Sequence, residues 1–235
     1  MSGEVLPPAD EVSAEACGAR PEIKVVRESA RWNPENFARE QIRGLVRQVF
    51  FSNAARPVRQ VIFSAVEPAS DLRGLCRSVG DALALETSAT VAVVGGYPCL
   101  LHGPETHGEE RAESGIGDAL PLQRIAARVR GNLWLVPDGA SGASASAASL
   151  HSYLGEVRRQ FEYSIVQAPS AGESDGASAM AQFADGIILV LSAHHTRRAA
   201  ACKVKAALEA VHVRILGAVL SERMFPIPEP IYRRL

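Results

Sequence analysis

Two rhythms of apolar positions alternate along the chain. Short, mostly apolar runs occur at 61–66, 89–94, 133–136, 163–167, 187–191 and 213–220. Between them apolar residues recur at helical spacing: Ile42, Leu45, Val46, Val49 and Phe50; Leu72, Leu75, Cys76, Val79 and Leu83; Leu122, Ile125, Ala126 and Val129; Leu150, Tyr153, Leu154, Val157 and Phe161. A last helix is expected from about 197 to 211, with Thr196 as its cap. Continuous apolar runs mark strands buried on both faces, and their alternation with amphipathic helices predicts an α/β fold, a three-layer sandwich around a mainly parallel sheet with right-handed crossovers. Ligands bind such sheets at the carboxyl ends of the strands. The segments after residues 66, 94, 136, 167 and 191 are therefore where a site is expected.

The pattern begins late. Residues 1–33 mix Pro, Glu, Ala and Ser without periodicity and are expected to be a flexible leader, with Ile23, Val25 and Val26 as a short apolar patch. From Asn33-Pro34, a good helix start, the domain is expected to run from 34 to 235. The polar face of its first helix carries Arg39, Glu40, Arg43 and Arg47.

Composition narrows the functional classes. With 235 residues, 47% hydrophobic and 22% charged, the chain is an ordinary globular protein with room for one large core. Its 25 Lys+Arg against 26 Asp+Glu leave a net charge of −1, so no basic excess argues for nucleic acid. No apolar run approaches the roughly 18–20 residues that span a bilayer, and direct membrane insertion is not expected. Cys17, Cys76, Cys99 and Cys202 are widely spaced, without a C-x-x-C, and read as free thiols in a reducing cytoplasm.

The stretch 61–74 has the layout of a phosphate-binding loop: a buried strand, a short turn, then a helix whose free N–H groups and dipole favour an anion. A P-loop adds glycines, a lysine for the β/γ-phosphates and a hydroxyl for Mg²⁺. Here the region reads Pro68-Ala69-Ser70-Asp71-Leu72-Arg73. The layout is kept and the chemistry is changed.

From about residue 36 onward the chain resembles the cytoplasmic tyrosine-kinase domains of bacterial capsule and exopolysaccharide export, P-loop proteins of the ParA/MinD-like group. The likeness is carried by Glu40-Gln41-Ile42-Arg43, similar to the family's E-x-x-R-x-x-R helix; by the strand, loop and helix over 61–84; and by the strand 132–139. It is carried further by Phe161-Glu162-Tyr163-Ser164-Ile165-Val166-Gln167-Ala168-Pro169, similar to "FDyVIiDtPP", and by the strands at 184–190 and 216–220. The resemblance implies a P-loop NTPase-like sandwich and nucleotide chemistry, against which this chain departs systematically. Aligned through Pro68, Leu72 stands at the phosphate-lysine position and Arg73 at the Mg²⁺-side hydroxyl. The strand-end aspartates fall at Gly95 to Tyr97, and the Walker-B-like aspartate becomes Gln167. Catalysis by Mg²⁺ and charge clamping loses its groups together, so no catalytic residue, no metal and no ATP or Mg²⁺ cofactor is expected.

Other candidates read as structure. Arg73 reads as a solvated arginine on a first helical turn rather than a substitute cation, and Asp71 as a partner of the helix dipole. Gly95-Gly96 reads as a strand-ending turn. His194-His195, and His102 and His107 among Glu105, Glu109 and Glu110, lack a metal-ligand pattern and read as loops. Asp175 and Asp185 match positions of the family that are not assigned to catalysis. The resemblance also implies an oligomer interface at Glu40 and Arg43, with Arg47 one residue beyond the family's last arginine. Its C-terminal tyrosine cluster is reduced to one candidate phosphosite, Tyr232, in a proline-rich segment read as an extended arm that anchors to this domain or a neighbouring one. The expectation is an inactive relative of these kinases. It would be cytoplasmic, peripheral at the inner membrane through a protein partner such as a membrane polysaccharide co-polymerase, and an assembly or regulatory module that can form homo-oligomers. The alternative is a divergent, active autophosphorylating kinase or ATPase.

Overall fold

The computed structural model describes residues 33–52, 56–68, 71–95, 122–138 and 146–222. The expected leader, apart from Asn33, and Ala69, Ser70, Tyr97, His102, His107 and the arm with Tyr232 lie outside the described residues.

Helix α1 (Pro34–Val46) starts where Asn33 leaves the extended backbone and its side-chain oxygen accepts from the Glu35 N–H at 2.8 Å. It continues into a π-helical turn, Arg47–Phe51. Strand β1 (Gln60–Ala65) leads to α2 (Leu72–Glu86) and β2 (Val91–Gly95). After the four-residue α3 (Leu122–Ile125) come β3 (Ala127–Arg130), β4 (Leu133–Pro137), α4 (Ala147–Gln160) and β5 (Tyr163–Gln167). The chain then forms α5 (Gly176–Ala181), β6 (Gly186–Ser192), α6 (Arg198–Ala210) and β7 (Ile215–Ser221).

The strands make one seven-stranded sheet in the order β3-β4-β2-β5-β1-β6-β7, parallel except for β3 against β4. Alternating side chains of the central strands point into two cores. Ile62, Val166 and Leu189 join Leu154, Met180 and Leu208 on one face, while Val61, Phe63, Val93, Ile165 and Ile188 join Val46, Cys76, Val79 and Leu83 on the other. Both faces are covered, which is why the strands read as unbroken apolar runs. Helix α2 lies close on the sheet because Gly80 has no side chain there; a Cβ at that position would come within 2.3 Å of Val93 Cγ2.

Three local expectations are corrected. Val129 belongs to no helix: it lies in β3 and is 44% exposed. The Gly131-Asn132 turn folds β3 back on β4, and the Arg128 guanidinium lies 5.5 Å over the Trp134 ring, so hairpin pairing overrides the helical spacing. The cap of α6 is Arg197, without a side-chain cap bond, because the Thr196 hydroxyl accepts from the Ser192 N–H at 3.0 Å instead. Helix α5 was not expected from the pattern; its Ala177, Met180 and Ala181 are buried among small residues too short in sequence to show a period. Among the described residues, no helix is long and apolar enough to cross a membrane.

Candidate functional site

The carboxyl ends of β1 and β5 lie side by side, with Phe63 opposite Gln167 in parallel register, and β2 pairs with β5 on the far side. Residues far apart in sequence thus meet where a parallel sheet carries ligands. Leaving β1, the Val66 N–H donates to Val190 O at 3.0 Å, and the chain turns through Glu67 and the exposed Pro68.

At the far end of that turn Asp71 caps α2, its carboxylate accepting from the Gly74 N–H at 2.9 Å. The helix terminus that would receive a phosphate therefore carries a carboxylate of its own, which an anion would meet with repulsion. Leu72, at the phosphate-lysine position, is the first residue of α2 and is 7% exposed. It belongs to the same apolar cluster as Phe63, Cys76 and Val190, so its side chain turns into the core. Arg73 follows, exposed on the first turn. One turn further, burial and then the nearby Asp71 charge push the Cys76 thiol up to about 12, which keeps it neutral and unreactive.

Gly95 closes β2 and Gln167 closes β5, so two of the three expected acidic positions stand at strand ends in the structure without an acid. The Gln167 Oε1 is buried and has no hydrogen-bond partner. A neutral amide carbonyl there supplies an oxygen but not the anionic charge that helps hold Mg²⁺. Leu72, Arg73, Gly95 and Gln167 do not fit a Mg²⁺–nucleotide donor set, and no step is derived through that group.

The segment after β5 is among those where a site is expected, but its bonds to β1 left no trace in the pattern. The Ala168 N–H donates to Phe63 O and the Ala171 N–H to Ala65 O, both at 2.9 Å. The Ser170 hydroxyl donates to Val66 O at 3.1 Å and Ser64 Oγ to Pro169 O at 2.6 Å. Gly172 lies so close that a Cβ would stand 2.3 Å from Val66 O. These bonds use the carbonyls at the end of β1 for structure. The signal was the Pro-Ser-Ala-Gly sequence directly after a strand.

The remaining candidates are dispersed. Asp185 lies at the opposite, amino end of the sheet. Its Oδ2 accepts from the Arg59 and Gln60 N–H groups at 2.7 and 2.8 Å, and its Oδ1 from Arg158 at 3.0 Å. Asp175 caps α5 without a side-chain bond to it. Among the described residues no three His, Cys, Asp or Glu side chains come together in a metal-binding group. On the expected oligomer face, Glu40 and Arg43 are exposed on α1, whereas Arg47 is joined within the chain to Glu86 on α2, at 3.0 Å. A groove of about 630 Å³ lies between α1 and β7, lined by Phe37, Ile42, Leu45, Leu75, Val219 and Leu220 and by none of the phosphate-loop positions.

No protein-family model and no curated protein matches the chain. Solved structures do. The kinase domain of the Escherichia coli tyrosine kinase ETK superposes with a TM-score of 0.60 at 14% identity, covering 81% of this chain and 79% of that one. The VpsO kinase domain gives 0.55 at 15% identity over 81% and 98%. A ParA family ATPase from Chlorobium tepidum gives 0.52 at 15% identity over 69% and 73%. The fold is that of the ParA/MinD-like P-loop NTPases. What such a fold does in a given chain is carried by its residues.

Proposed function

We propose that this chain is a catalytically inactive relative of the bacterial capsule and exopolysaccharide tyrosine kinases, a P-loop fold kept as a protein-binding module. The observation that carries the reading is Leu72: the position that should offer an ammonium group to phosphate is an apolar side chain packed into the core. Gly95 and Gln167, in place of strand-end acids, support it. A loop whose reactive position contributes to the core can be held for its shape, and the surrounding sandwich remains a scaffold for contacts with other proteins.

In this reading the module assembles or regulates polysaccharide biosynthesis and export, in the cytoplasm at the inner membrane, through a protein partner such as a membrane polysaccharide co-polymerase. Neither ATP nor Mg²⁺ serves as its cofactor, and it acts on no nucleic acid. Glu40 and Arg43 on α1 are the contacts proposed for self-assembly, and Tyr232 is not a graded phosphorylation switch. The test is nucleotide titration by calorimetry with and without Mg²⁺, combined with an autophosphorylation assay. The expected result is no Mg²⁺-dependent binding heat and no phosphate on the chain. Mg²⁺-dependent turnover above a buffer blank would return the chain to the active, divergent kinases, with Arg73 as the first residue to mutate.

A further inference from the structure

The two edges of the sheet are built differently. Strand β3 has four residues, carries Arg128 and Arg130, and pairs irregularly with β4; short length, charge and irregularity are how edges are protected from pairing with other chains. Strand β7 has seven residues, Ile-Leu-Gly-Ala-Val-Leu-Ser, none charged and none proline. Its irregularity against β6 is confined to the first residues, and Gly217 to Ser221 then run in continuous register with Ile188 to Ser192. Ser221 O accepts from the Ala193 N–H at 3.0 Å, so by alternation Gly217, Val219 and Ser221 bond β6 while the peptide groups of Ala218 and Leu220 face away from it. β7 has no further strand beside it among the described residues, and Leu220 is 56% exposed.

Charge stands only at the two ends of this strand. Arg214 precedes it, exposed, and Glu222 follows it, also exposed, at φ 56°, where the chain turns off the strand. One Glu222 oxygen accepts from the Ser192 hydroxyl, and the other is left for a second donor. A parallel neighbour of the same sequence would set Arg214 against Arg214 and Glu222 against Glu222. An antiparallel one brings the Arg214 end of each strand beside the Glu222 end of the other copy's, past the irregularity at 215–217, with Ala218 opposite Ala218 in a pair that exchanges both backbone hydrogen bonds.

We propose that β7 is a self-association edge, at which a second copy of this chain pairs antiparallel about a two-fold axis at Ala218 and joins two seven-stranded sheets into one. The interface is isologous and closes on itself, so it yields dimers and not fibres. It is independent of the functional reading above and does not use Glu40 or Arg43, although α1 flanks the same groove.

The test is sedimentation of the full chain from about 1 to 300 µM. The expected result is a monomer–dimer equilibrium with a Kd of roughly 10–100 µM, in keeping with a small interface. Arg214→Glu should raise that Kd about tenfold, and the swap Arg214→Glu with Glu222→Arg should restore it, because the pair is complementary in either order. Ala218→Pro removes the central outward N–H and should abolish the dimer, with a thermal melt to show that it folds. Glu40→Arg should leave the dimer unchanged. A chain that stays monomeric to about 300 µM overturns the proposal, as does a dimer whose Kd Arg214→Glu does not move. Arg214 is exposed, so that variant keeps the test valid even where the proline variant fails to fold.

Discussion

The amino and carboxyl ends of the same sheet differ in how their side chains are bonded. At the amino end Asp185 accepts two backbone N–H groups and an arginine, and Asn132 Nδ2 donates to Thr87 O and Ala89 O, both at 2.8 Å, while the buried Gln60 donates from Nε2 to Leu154 O and keeps its Oε1 without a partner among the described residues. At the carboxyl end the Ser64 and Ser170 hydroxyls are bonded across the end of β1, Gln167 keeps a buried carbonyl oxygen without a partner, and Leu72 packs into the core. Buried polar groups are normally satisfied, so the polar residues that hold a fold together are recognised by completed bonds. By that criterion Asp185 is architecture, whereas Gln60 and Gln167 each keep one buried oxygen without a partner among the described residues, one at either end of the sheet.

The largest effect should therefore come from the amino end. Asp185→Ala leaves two backbone donors and Arg158 without their acceptor and should lower stability by about 2–4 kcal/mol in urea unfolding. A loss below about 1 kcal/mol would remove the contrast between the two ends.

Leu72→Lys comes next. Restoring the lysine places an ammonium group in an apolar pocket and should cost about 1–3 kcal/mol. It should not produce nucleotide binding, because Gly95 and Gln167 stay as they are. Mg²⁺-ATP heats appearing in this single variant would mean that the site was one residue from working.

Cys76 gives a pH-dependent effect. Its folded thiol titrates near 12 against an ordinary 9.0, so folding favours the protonated form. That contribution is complete below about pH 9 and is lost as pH rises toward 12, where the unfolded chain releases its proton first. Stability should fall across that window, and less steeply in Cys76→Ala. At pH 8, peptide mapping should find the exposed Cys202 alkylated at least about a hundredfold faster than Cys76.

Gln167→Leu should be the mildest change. Exchanging an amide with an unpartnered oxygen for hydrocarbon of similar size should shift stability by no more than about 1 kcal/mol, and in the stabilising direction if at all. A loss larger than this would show that the amide bonds something in solution.

Most of the sandwich was readable in the chain because burial on two faces leaves a direct trace. Strands β2 and β6 are apolar at nearly every position and β1 and β5 at most, and α2 and α4 repeat apolar residues on one face. Where burial was partial or the element short, the trace failed. β3 presents three exposed residues of four, α5 has six residues, and the spacing of Val129 fitted a helix that the Gly131-Asn132 turn prevents. The site was half legible. Leu72, Arg73 and Gln167 were placed correctly at the ends of their elements, since loop length from a strand determines the start of the next helix. The bonds of Ser64 and Ser170 across the end of β1 had no pattern to show them.

The amino-acid sequence by itself determined the layers of this protein, the parallel character of its sheet and the residues that stand between β1 and α2, because hydrophobic period and residue identity are local properties of the chain. Tertiary structure alone decided that β5 lies between β1 and β2 and so puts Gln167 beside the end of β1, that Leu72 turns inward, that Arg47 is held by Glu86, and that β7 is left as an uncharged edge. Those facts depend on which distant segments become neighbours. Strand order is a choice among packings with nearly the same local pattern, and only the summed contacts of the whole core select one of them.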